Sequence, residues 1–174
     1  VINGEIEDWQ EIVKNTEGRV ITFGTDRGFD YSAGEISYDS LARPTFDFYI
    51  RGEKRDTLSL GVSGEHNVYN ALAAAAAALE AGLSLEAVKR GLLSFTGTKR
   101  RFEKKGVLNG VTIIDDYAHH PQEIRSSLKT AQNYPHNRIW CVFQPHTYTR
   151  TKAFLDEFAK ALSMADCIVL ADIY

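Results

Sequence analysis

The stretch Val111-Thr112-Ile113-Ile114-Asp115-Asp116-Tyr117-Ala118-His119-His120-Pro121 leads from an apolar run directly into a cluster of ionisable side chains. The apolar run predicts a strand, and the residues from Pro121 onward have helical spacing. Proline suits the first helical position because its missing N–H would have no partner there anyway. The turn between strand and helix would lie at the carboxyl end of the strand, where open α/β sheets bind ligands. The stretch therefore predicts a binding site, and the alternative is a solvated turn.

Two more strand–helix repeats follow at regular intervals. Residues 139–143 and 167–170 are apolar runs, and residues 121–132 and 151–164 have helical periodicity, the second with Phe154, Leu155, Phe158 and Leu162 on one face. Apolar strands that alternate with helices predict an α/β fold with a parallel sheet buried on both faces. Parallel strands end on one edge of a sheet. We therefore expect the turns at 115–120, 144–150 and 172–174 to converge.

The first part of the chain has a different pattern of apolar and polar residues. Residues 31–60 alternate as short strands joined by a turn at 51–54, which predicts an antiparallel meander with Tyr31, Phe46 and Phe48 in its core. Helices are predicted over 7–14, over 65–81 with Gly82 as the residue after the helix, and over 85–93 with Ser84 as its cap. The alanines at 73–78 predict a buried helix. The change of pattern places a domain boundary near residue 97.

Asn67 and Asn70 lie three residues apart and share one face in the first turn of the helix predicted over 65–81. Helix capping explains one asparagine well and two less well. A carboxamide offers both a donor and an acceptor, which matches the N6 donor and N7 acceptor of adenine. Capping and nucleotide contact therefore both stay open.

Five cations lie within residues 99–105. A solvated hinge between two domains explains them, and Lys104 and Lys105 fit that explanation best. Arginine also has the best shape for binding phosphate through two parallel hydrogen bonds.

The polar turns admit several roles. Asp115 and Asp116 are adjacent and point in opposite directions at a strand end, so we expect one of them to face a ligand. His119 and His120 either bind a metal ion or divide the work, with His120 capping the next helix and His119 contacting an anion. No third ligand of matching spacing accompanies them, so we predict no metal site within this chain. Arg150 is a candidate for binding carboxylate or phosphate.

Composition narrows the class of protein. The 174 residues are 44% hydrophobic and 25% charged, with a net charge of −3, which argues against a nucleic-acid partner held by bulk charge. Cys141 and Cys167 lie in apolar runs and indicate reduced core residues of a cytoplasmic protein. No apolar run approaches membrane-spanning length, so no membrane partner is predicted. The start at Val1 without methionine suggests a piece of a longer polypeptide.

Four motifs together resemble one family. They are Glu65-His66-Asn67-Val68-Tyr69-Asn70-Ala71, Lys99-Arg100-Arg101-Phe102-Glu103, the stretch quoted first, and Phe143-Gln144-Pro145-His146-Thr147-Tyr148-Thr149-Arg150-Thr151. In this order they are similar to the bacterial Mur ligases, and most similar to the type that joins L-alanine to UDP-N-acetylmuramate. Each motif alone is weak, but the set is specific.

The resemblance implies a fold, a reaction and a set of sites. Residues 1–97 would be the C-terminal portion of the central ATP-binding domain, and residues 98–174 the N-terminal portion of a Rossmann-like domain that binds the amino acid and the muramoyl substrate. ATP with magnesium would drive amide synthesis through an acyl phosphate. By position, ATP would meet Asn67, Asn70, Arg101 and Asp116, and the substrates would meet Tyr117, His119, His146 and Arg150.

Two departures from the family pattern matter. Thr147 stands where many relatives carry arginine. The phosphate loop GxxxxGK(S/T), the magnesium ligands and the UDP-binding domain do not occur in this sequence, so we expect the 174-residue chain alone to lack ligase activity. Three rival hypotheses remain: the related ligase that recycles murein tripeptide, a non-catalytic α/β binding module, and a metal-dependent phosphoesterase.

Overall fold

The structure is a computed structural model that describes all 174 residues, and they divide into two compact units. Unit 1 comprises residues 1–39 and 43–96, and unit 2 comprises residues 97–174 with residues 40–42. Unit 1 contains β1 (Ile2–Asn3), α1 (Trp9–Val13), β2 (Thr22–Gly24), β3 (Tyr31–Tyr38), β4 (Pro44–Ile50), β5 (Glu53–Ser59), α2 (His66–Glu80) and α3 (Leu85–Ser94). Unit 2 contains β6 (Glu103–Leu108), β7 (Val111–Asp115), α4 (Pro121–Gln132), β8 (Trp140–Phe143), α5 (Tyr148–Ala153), α6 (Leu155–Leu162) and β9 (Cys167–Leu170).

Unit 1 is built on a five-stranded sheet in the order β1-β2-β3-β4-β5. The pairs β3–β4 and β4–β5 are antiparallel, which confirms the predicted meander, while β1–β2 and β2–β3 are parallel. Tyr31, Phe46 and Phe48 are all buried, as predicted. The five strands thus provide one apolar face on which a helix can pack.

Helix α2 provides the other half of the unit 1 core. Its buried residues recur with the spacing of one helical face, and Ala74 and Ala77 on the other side are exposed. The prediction that the alanine-rich helix is buried was therefore correct for one face only. Small side chains on the packed face let the helix lie close to the sheet. The buried residues of α2 are Val68, Ala71, Leu72, Ala75 and Ala76.

The predicted helix ends in unit 1 are confirmed. Gly82 has φ = +91°, a left-handed conformation that suits glycine, and its N–H donates to the carbonyl of Leu79 over 2.9 Å. Ser84 accepts a hydrogen bond from the N–H of Ala87 at 3.3 Å and so caps α3. Both positions follow from the local sequence. No helix of the structure has the length and apolar character needed to cross a membrane.

Unit 2 begins with an antiparallel hairpin of β6 and β7. The sequence predicts β7 but not β6, because the charged residues 99–105 suggest a hinge or a phosphate contact and not a strand. Glu103 and Lys105 lie in β6 and form an ion pair of 3.0 Å. A charged strand on an exposed hairpin has no apolar alternation to reveal it.

Strands β8 and β9 pair in parallel, as predicted, but β7 is not hydrogen-bonded to either of them. The expectation of one three-stranded parallel sheet was therefore wrong for the described residues. Burial on both faces was also wrong, because the side chains of Trp140 and Val142 are 62% and 76% exposed. Only Cys141 and Phe143, which alternate with them, pack against the apolar cluster of α4 and α6.

The helix predicted over residues 151–164 is in fact two helices, α5 and α6. They are separated at Phe154, which has φ = −121° and ψ = 30° and whose ring packs edge-to-face with His120 at a centroid distance of 5.0 Å. Phe158 and Leu162 are buried as predicted, whereas Leu155 is 62% exposed. The two-helix arrangement leaves Leu155 outside the packed face.

Candidate functional site

The turn after β7 is organised by a cap at the start of α4. The His120 side chain accepts a hydrogen bond from the N–H of Gln122 at 3.4 Å. Glu123 Oε2 in turn accepts from the N–H groups of His119 and His120 at 2.9 and 3.1 Å. This reciprocal pattern is a capping box, and it confirms His120 as the helix cap. The His120 side chain therefore has a structural role as the cap of α4.

The carboxylate of Glu123 is adapted to this position. Partial burial opposes its ionisation, but the two backbone N–H donors and the nearby His119 and Arg101 outweigh that effect and lower the pKa of Glu123. A charged acceptor at the amino end of a helix also interacts favourably with the helix dipole. The turn is therefore held by an ionised carboxylate.

Asp116 ties the turn to the segment before β6. Its Oδ2 accepts from the N–H of Phe102 at 2.8 Å, and its Oδ1 accepts from the N–H of Ala118 at 2.7 Å. The N–H of Tyr117 donates to the carbonyl of Arg100 at 2.8 Å, and the Arg100 guanidinium lies 4.5 Å from the centre of the Tyr117 ring. Arg100 and Tyr117 thus form a cation–π contact beside the candidate site.

The imidazole of His119 is oriented by its neighbours, and their polar contacts involve only one of its two ring nitrogens. Its Nδ1 lies 2.9 Å from the carbonyl oxygen of Tyr117 and 3.6 Å from Glu123 Oε2. The Tyr117 ring meets the imidazole edge-on at 5.2 Å. These contacts fix the ring through Nδ1 and leave Nε2 for a ligand.

The turns after β8 and β9 lie together. Gln144 Nε2 donates to the carbonyl of Asp172 at 3.3 Å, and the N–H of Tyr174 donates to the carbonyl of Pro145 at 3.0 Å. The rings of His146 and Tyr174 stack with centroids 5.4 Å apart and an angle of 20° between their planes. The convergence of these two turns is thus confirmed. The sequence had given Tyr174 no role, although its place after an apolar strand was a usable signal.

Arg150 is anchored in the same group. Its Nη1 donates to the carbonyl of His146 at 2.9 Å, and Thr147 caps α5 by accepting from the Arg150 N–H at 3.5 Å. The guanidinium keeps further donors for an anion, because arginine has five N–H groups. Thr147, at the position where an arginine was expected, therefore has a structural role. We call His119, His146, Arg150 and Tyr174 the rim of unit 2.

The first turn is linked to the helical segment after β8 by one ring contact. The ring contact of His120 with Phe154 joins the start of α4 to the residue that separates α5 from α6. Backbone pairing between β7 and β8 does not contribute, since the two strands belong to different sheets. Side-chain packing therefore links these two segments where the sequence predicts a continuous sheet.

The two asparagines of unit 1 form a connected pair. Asn67 Nδ2 donates to the carbonyl of Ser63 at 2.7 Å and lies 3.2 Å from His66 Nε2. Asn70 Nδ2 donates to Asn67 Oδ1 at 3.0 Å, and Asn70 is exposed. Asn67 thus orients the exposed Asn70 through one of its two carboxamide hydrogens.

The remaining predicted site residue, Arg101, is 58% exposed, and its Nη1 lies 4.0 Å from Glu123 Oε1. That separation is at the limit of an ion pair, so the guanidinium is available to a phosphate. The described residues contain no group of three or more His, Cys, Asp or Glu side chains that could hold a metal ion. Cys141 and Cys167 are free thiols.

Comparison with known proteins identifies the class. Residues 1–78 match the Mur ligase middle domain, and residues 100–173 match the Mur ligase glutamate ligase domain. Both halves of the chain therefore belong to the Mur ligase family.

Individual relatives are more specific. The chain is 57% identical over 175 residues to the UDP-N-acetylmuramate–L-alanine ligase of Lachnospira eligens, and 52% identical over 174 residues to the enzyme of that name from Agathobacter rectalis. Each of the two alignments covers all of this chain but only 38% of the relative's own length. The crystal structure of UDP-N-acetylmuramate-alanine ligase MurC from Thermotoga maritima has a TM-score of 0.76 and 36% identity, covering 88% of this chain and 34% of that one.

Proposed function

We propose that the full-length protein is an ATP-dependent ligase that joins L-alanine to the carboxyl group of UDP-N-acetylmuramate in the cytoplasm. This reaction makes a precursor of peptidoglycan. The observation that carries the proposal is the rim of unit 2, where an oriented imidazole and an anchored guanidinium lie at strand ends. The high identity to relatives with this activity in their names supports the same choice.

The substrate end of the reaction belongs to unit 2 in this proposal. L-alanine and the muramoyl group both carry carboxylates, and arginine binds carboxylates through paired hydrogen bonds. Arg150 has one donor on the carbonyl of His146 and keeps further N–H groups for a ligand. Tyr117, His119 and His146 complete the substrate contacts. All four residues bind and orient, and none is assigned as a catalytic acid or base.

The nucleotide end involves the remaining predicted residues. Asn70 presents the acceptor and donor that adenine requires, and Asn67 acts through it as a positioning residue. Arg101 is free to bind a phosphate. Both oxygens of Asp116 already accept backbone N–H groups, but a carboxylate has about four lone-pair sites, so each oxygen can still accept from a ribose hydroxyl.

The chemistry consists of two displacements. An oxygen of the muramoyl carboxylate attacks the γ-phosphorus of ATP, and ADP leaves. The amine nitrogen of L-alanine then attacks the carbonyl carbon of the acyl phosphate, loses a proton, and expels inorganic phosphate as the amide forms. Holding amine and acyl phosphate in contact can lower the barrier by several kcal/mol. Magnesium would neutralise phosphate charge in this reaction. Its ligands are expected outside the described residues, so no step is assigned to it.

The direct test is phosphate release by the full-length protein with ATP, UDP-N-acetylmuramate and L-alanine. Arg150→Ala should lower kcat/KM for L-alanine or the sugar nucleotide by about 10- to 100-fold, as expected for a lost charged hydrogen bond. Arg150→Lys should recover only part of that loss, because an ammonium group cannot bind both carboxylate oxygens in the same way. Lys152→Ala, an exposed change on the same helix, is the matched control and should leave kcat/KM unchanged.

Other outcomes distinguish the rivals. Turnover with murein tripeptide and not with L-alanine would identify the recycling ligase. A protein that shows no turnover and no change in melting temperature with ATP analogues would be a binding module. Wild-type activity in Arg150→Ala would contradict the role of the rim.

A further inference from the structure

The turn at residues 99–102, which leads into β6, has a backbone that its side chains do not favour. Arg100 and Phe102 have φ angles of +59° and +48°, and neither is glycine. Positive φ is unfavourable for a residue with a Cβ atom, because that atom then lies too close to the following carbonyl oxygen. Arg101 lies between these two residues. Contacts with other side chains are therefore needed to hold the turn.

Two carboxylates hold alternate N–H groups of this turn. Glu103 Oε2 accepts from the N–H of Arg100 at 2.8 Å, and Asp116 Oδ2 accepts from the N–H of Phe102 at 2.8 Å. The N–H of Arg100 lowers the pKa of Glu103, and the ammonium group of Lys105 lowers it further. The Glu103 carboxylate is therefore ionised at neutral pH, and an ionised acceptor forms the stronger hydrogen bond.

The side chains on either side of Arg101 pack on aromatic rings. The Arg100 guanidinium lies 4.5 Å from the centre of the Tyr117 ring, and the rings of Phe102 and Tyr134 have centroids 5.6 Å apart. The Arg101 side chain is instead 58% exposed. The turn thus fixes the two flanking residues and leaves the guanidinium between them accessible.

We propose that Glu103 is a positioning residue for the nucleotide. By holding the N–H of Arg100, its carboxylate keeps the turn at positive φ, and the turn presents Arg101 to a phosphate of ATP. Glu103 has this role only if Arg101 contacts ATP, as in the proposed function on which the inference rests. Asp116 holds the turn as well, but a change there would also alter its proposed ribose contact. The other partner of Glu103 is Lys105, on the exposed hairpin.

The shape of the turn matters because arginine binds phosphate through two parallel hydrogen bonds and so needs a fixed approach. If Arg100 relaxed to negative φ, the direction of the chain before Arg101 would change. The binding-competent form would then be only partly populated, and the apparent affinity would fall in proportion to its population. Loss of the Glu103 carboxylate should therefore weaken ATP binding without weakening L-alanine binding.

The test combines steady-state kinetics of the full-length protein with a direct measurement of ATP binding. Glu103→Ala should raise both the KM and the Kd for ATP by about 10-fold, as expected for a lost hydrogen bond to a charged group. It should leave kcat and the KM for L-alanine unchanged, because the interaction that is lost binds ATP uniformly. An unchanged Kd for ATP would overturn the proposal, and so would a fall in kcat with an unchanged KM for ATP.

Two further variants serve as controls for the Glu103→Ala result. Glu103→Gln keeps an acceptor for the N–H of Arg100, so it should recover most of the affinity for ATP. Lys105→Ala removes only the ion pair of Glu103 and should resemble the wild type. A Kd raised equally by Glu103→Gln and Glu103→Ala would contradict a role for the backbone hydrogen bond.

Glycine at position 100 gives an independent measurement. Glycine adopts positive φ readily, whereas alanine does not. Arg100→Gly and Arg100→Ala both remove the contact with Tyr117, so the pair isolates the backbone. When each is combined with Glu103→Ala, the glycine variant should have a Kd for ATP about 3-fold lower than the alanine variant. Equal Kd values would refute the role of the turn.

A double variant separates the role of Glu103 from the proposed function. In an Arg101→Ala background, Glu103→Ala should have no further effect on the Kd for ATP, because Glu103 acts through Arg101. A further loss of similar size would overturn the positioning role while leaving the ligase reaction intact. Absence of ATP binding by the wild-type protein would instead contradict the proposed function, and the positioning role with it.

Discussion

Units 1 and 2 both place helices against a sheet, yet they differ in how completely their cores are closed. The apolar cluster of unit 1 contains 14 buried residues drawn from its strands and helices, whereas that of unit 2 contains six. Phe48 in unit 1 is fully buried, while Val142 in unit 2 is 76% exposed. Unit 1 is therefore expected to unfold at higher denaturant concentration than unit 2.

The two units also differ in how their strands are connected. Strands β3, β4 and β5 follow one another and pair as hairpins, so this half of the unit 1 sheet needs only neighbouring sequence. Parallel strands require crossover connections of a dozen or more residues, and their neighbours come from distant sequence. The two tryptophans, Trp9 in unit 1 and Trp140 in unit 2, allow each unit to be followed separately.

The largest effect is expected in the closed core. Phe48→Ala should destabilise unit 1 by about 3–5 kcal/mol, because it removes a fully buried ring from the core. Urea unfolding followed by Trp9 fluorescence, in a Trp140→Phe background, measures the change. Phe95→Ala, which alters a ring that is 50% exposed, is the control and should cost far less. If the Phe48→Ala effect is no larger than that of the control, the contrast between the units fails.

A smaller effect is expected for the open core. Leu128→Ala should destabilise unit 2 by about 2–3 kcal/mol, which is near the low end for a buried leucine. The cost is low because Leu128 already borders a cavity lined by residues of β7, α4 and β8. Trp140 fluorescence in a Trp9→Phe background reports it. Leu128→Ala should also be made in the Trp140→Phe background, where only Trp9 reports. A shift of the Trp9 transition there would show that the two units do not unfold independently.

The capping box of α4 gives a pH-dependent prediction. The folded-state pKa of Glu123 is lowered, so its stabilisation is present above the ordinary value of about 4.3 and is lost as pH falls through the folded value. Glu123→Gln should cost about 1 kcal/mol at pH 7 and should show a weaker loss of Tm below about pH 4 than the wild type. Glu157→Gln, at an exposed position on α6, should change stability by less than about 0.5 kcal/mol. Parallel Tm–pH curves for wild type and Glu123→Gln would contradict the role of this carboxylate.

The smallest effect concerns a surface ion pair of unit 1. Lys89 Nζ lies 2.8 Å from both oxygens of Asp56, with the lysine side chain 39% exposed. Lys89→Met should lower the stability of unit 1 only slightly, and the loss should shrink in high salt because exposed charges are screened. Urea unfolding in low and high salt measures it. A loss as large as that of Phe48→Ala would mean that charge pairing, and not core closure, distinguishes the two units.

Local signals identified most elements and several site residues. Pro121 and Gln132 bound α4 as predicted, Ser84 caps α3, and the strand Cys167–Leu170 has its predicted limits. These features depend on backbone rules that act over a few residues. The four motifs of the family resemblance added the candidate residues for ATP and substrate, whose roles remain predictions. Strand β6 could not be predicted because it begins with charged side chains and lacks apolar alternation. No local pattern indicated that Phe154 would separate two helices.

The sequence by itself determined the α/β class, the meander, the helix caps and the family. Periodicity and capping depend only on residues a few positions apart, and the order of the motifs can be read directly along the chain. Only the tertiary structure decided that β8 pairs with β9 and not with β7, that Tyr174 stacks on His146, and that a cavity borders α4. These contacts join residues far apart in the chain. They depend on which apolar faces and strand edges find partners, and no local pattern specifies that choice.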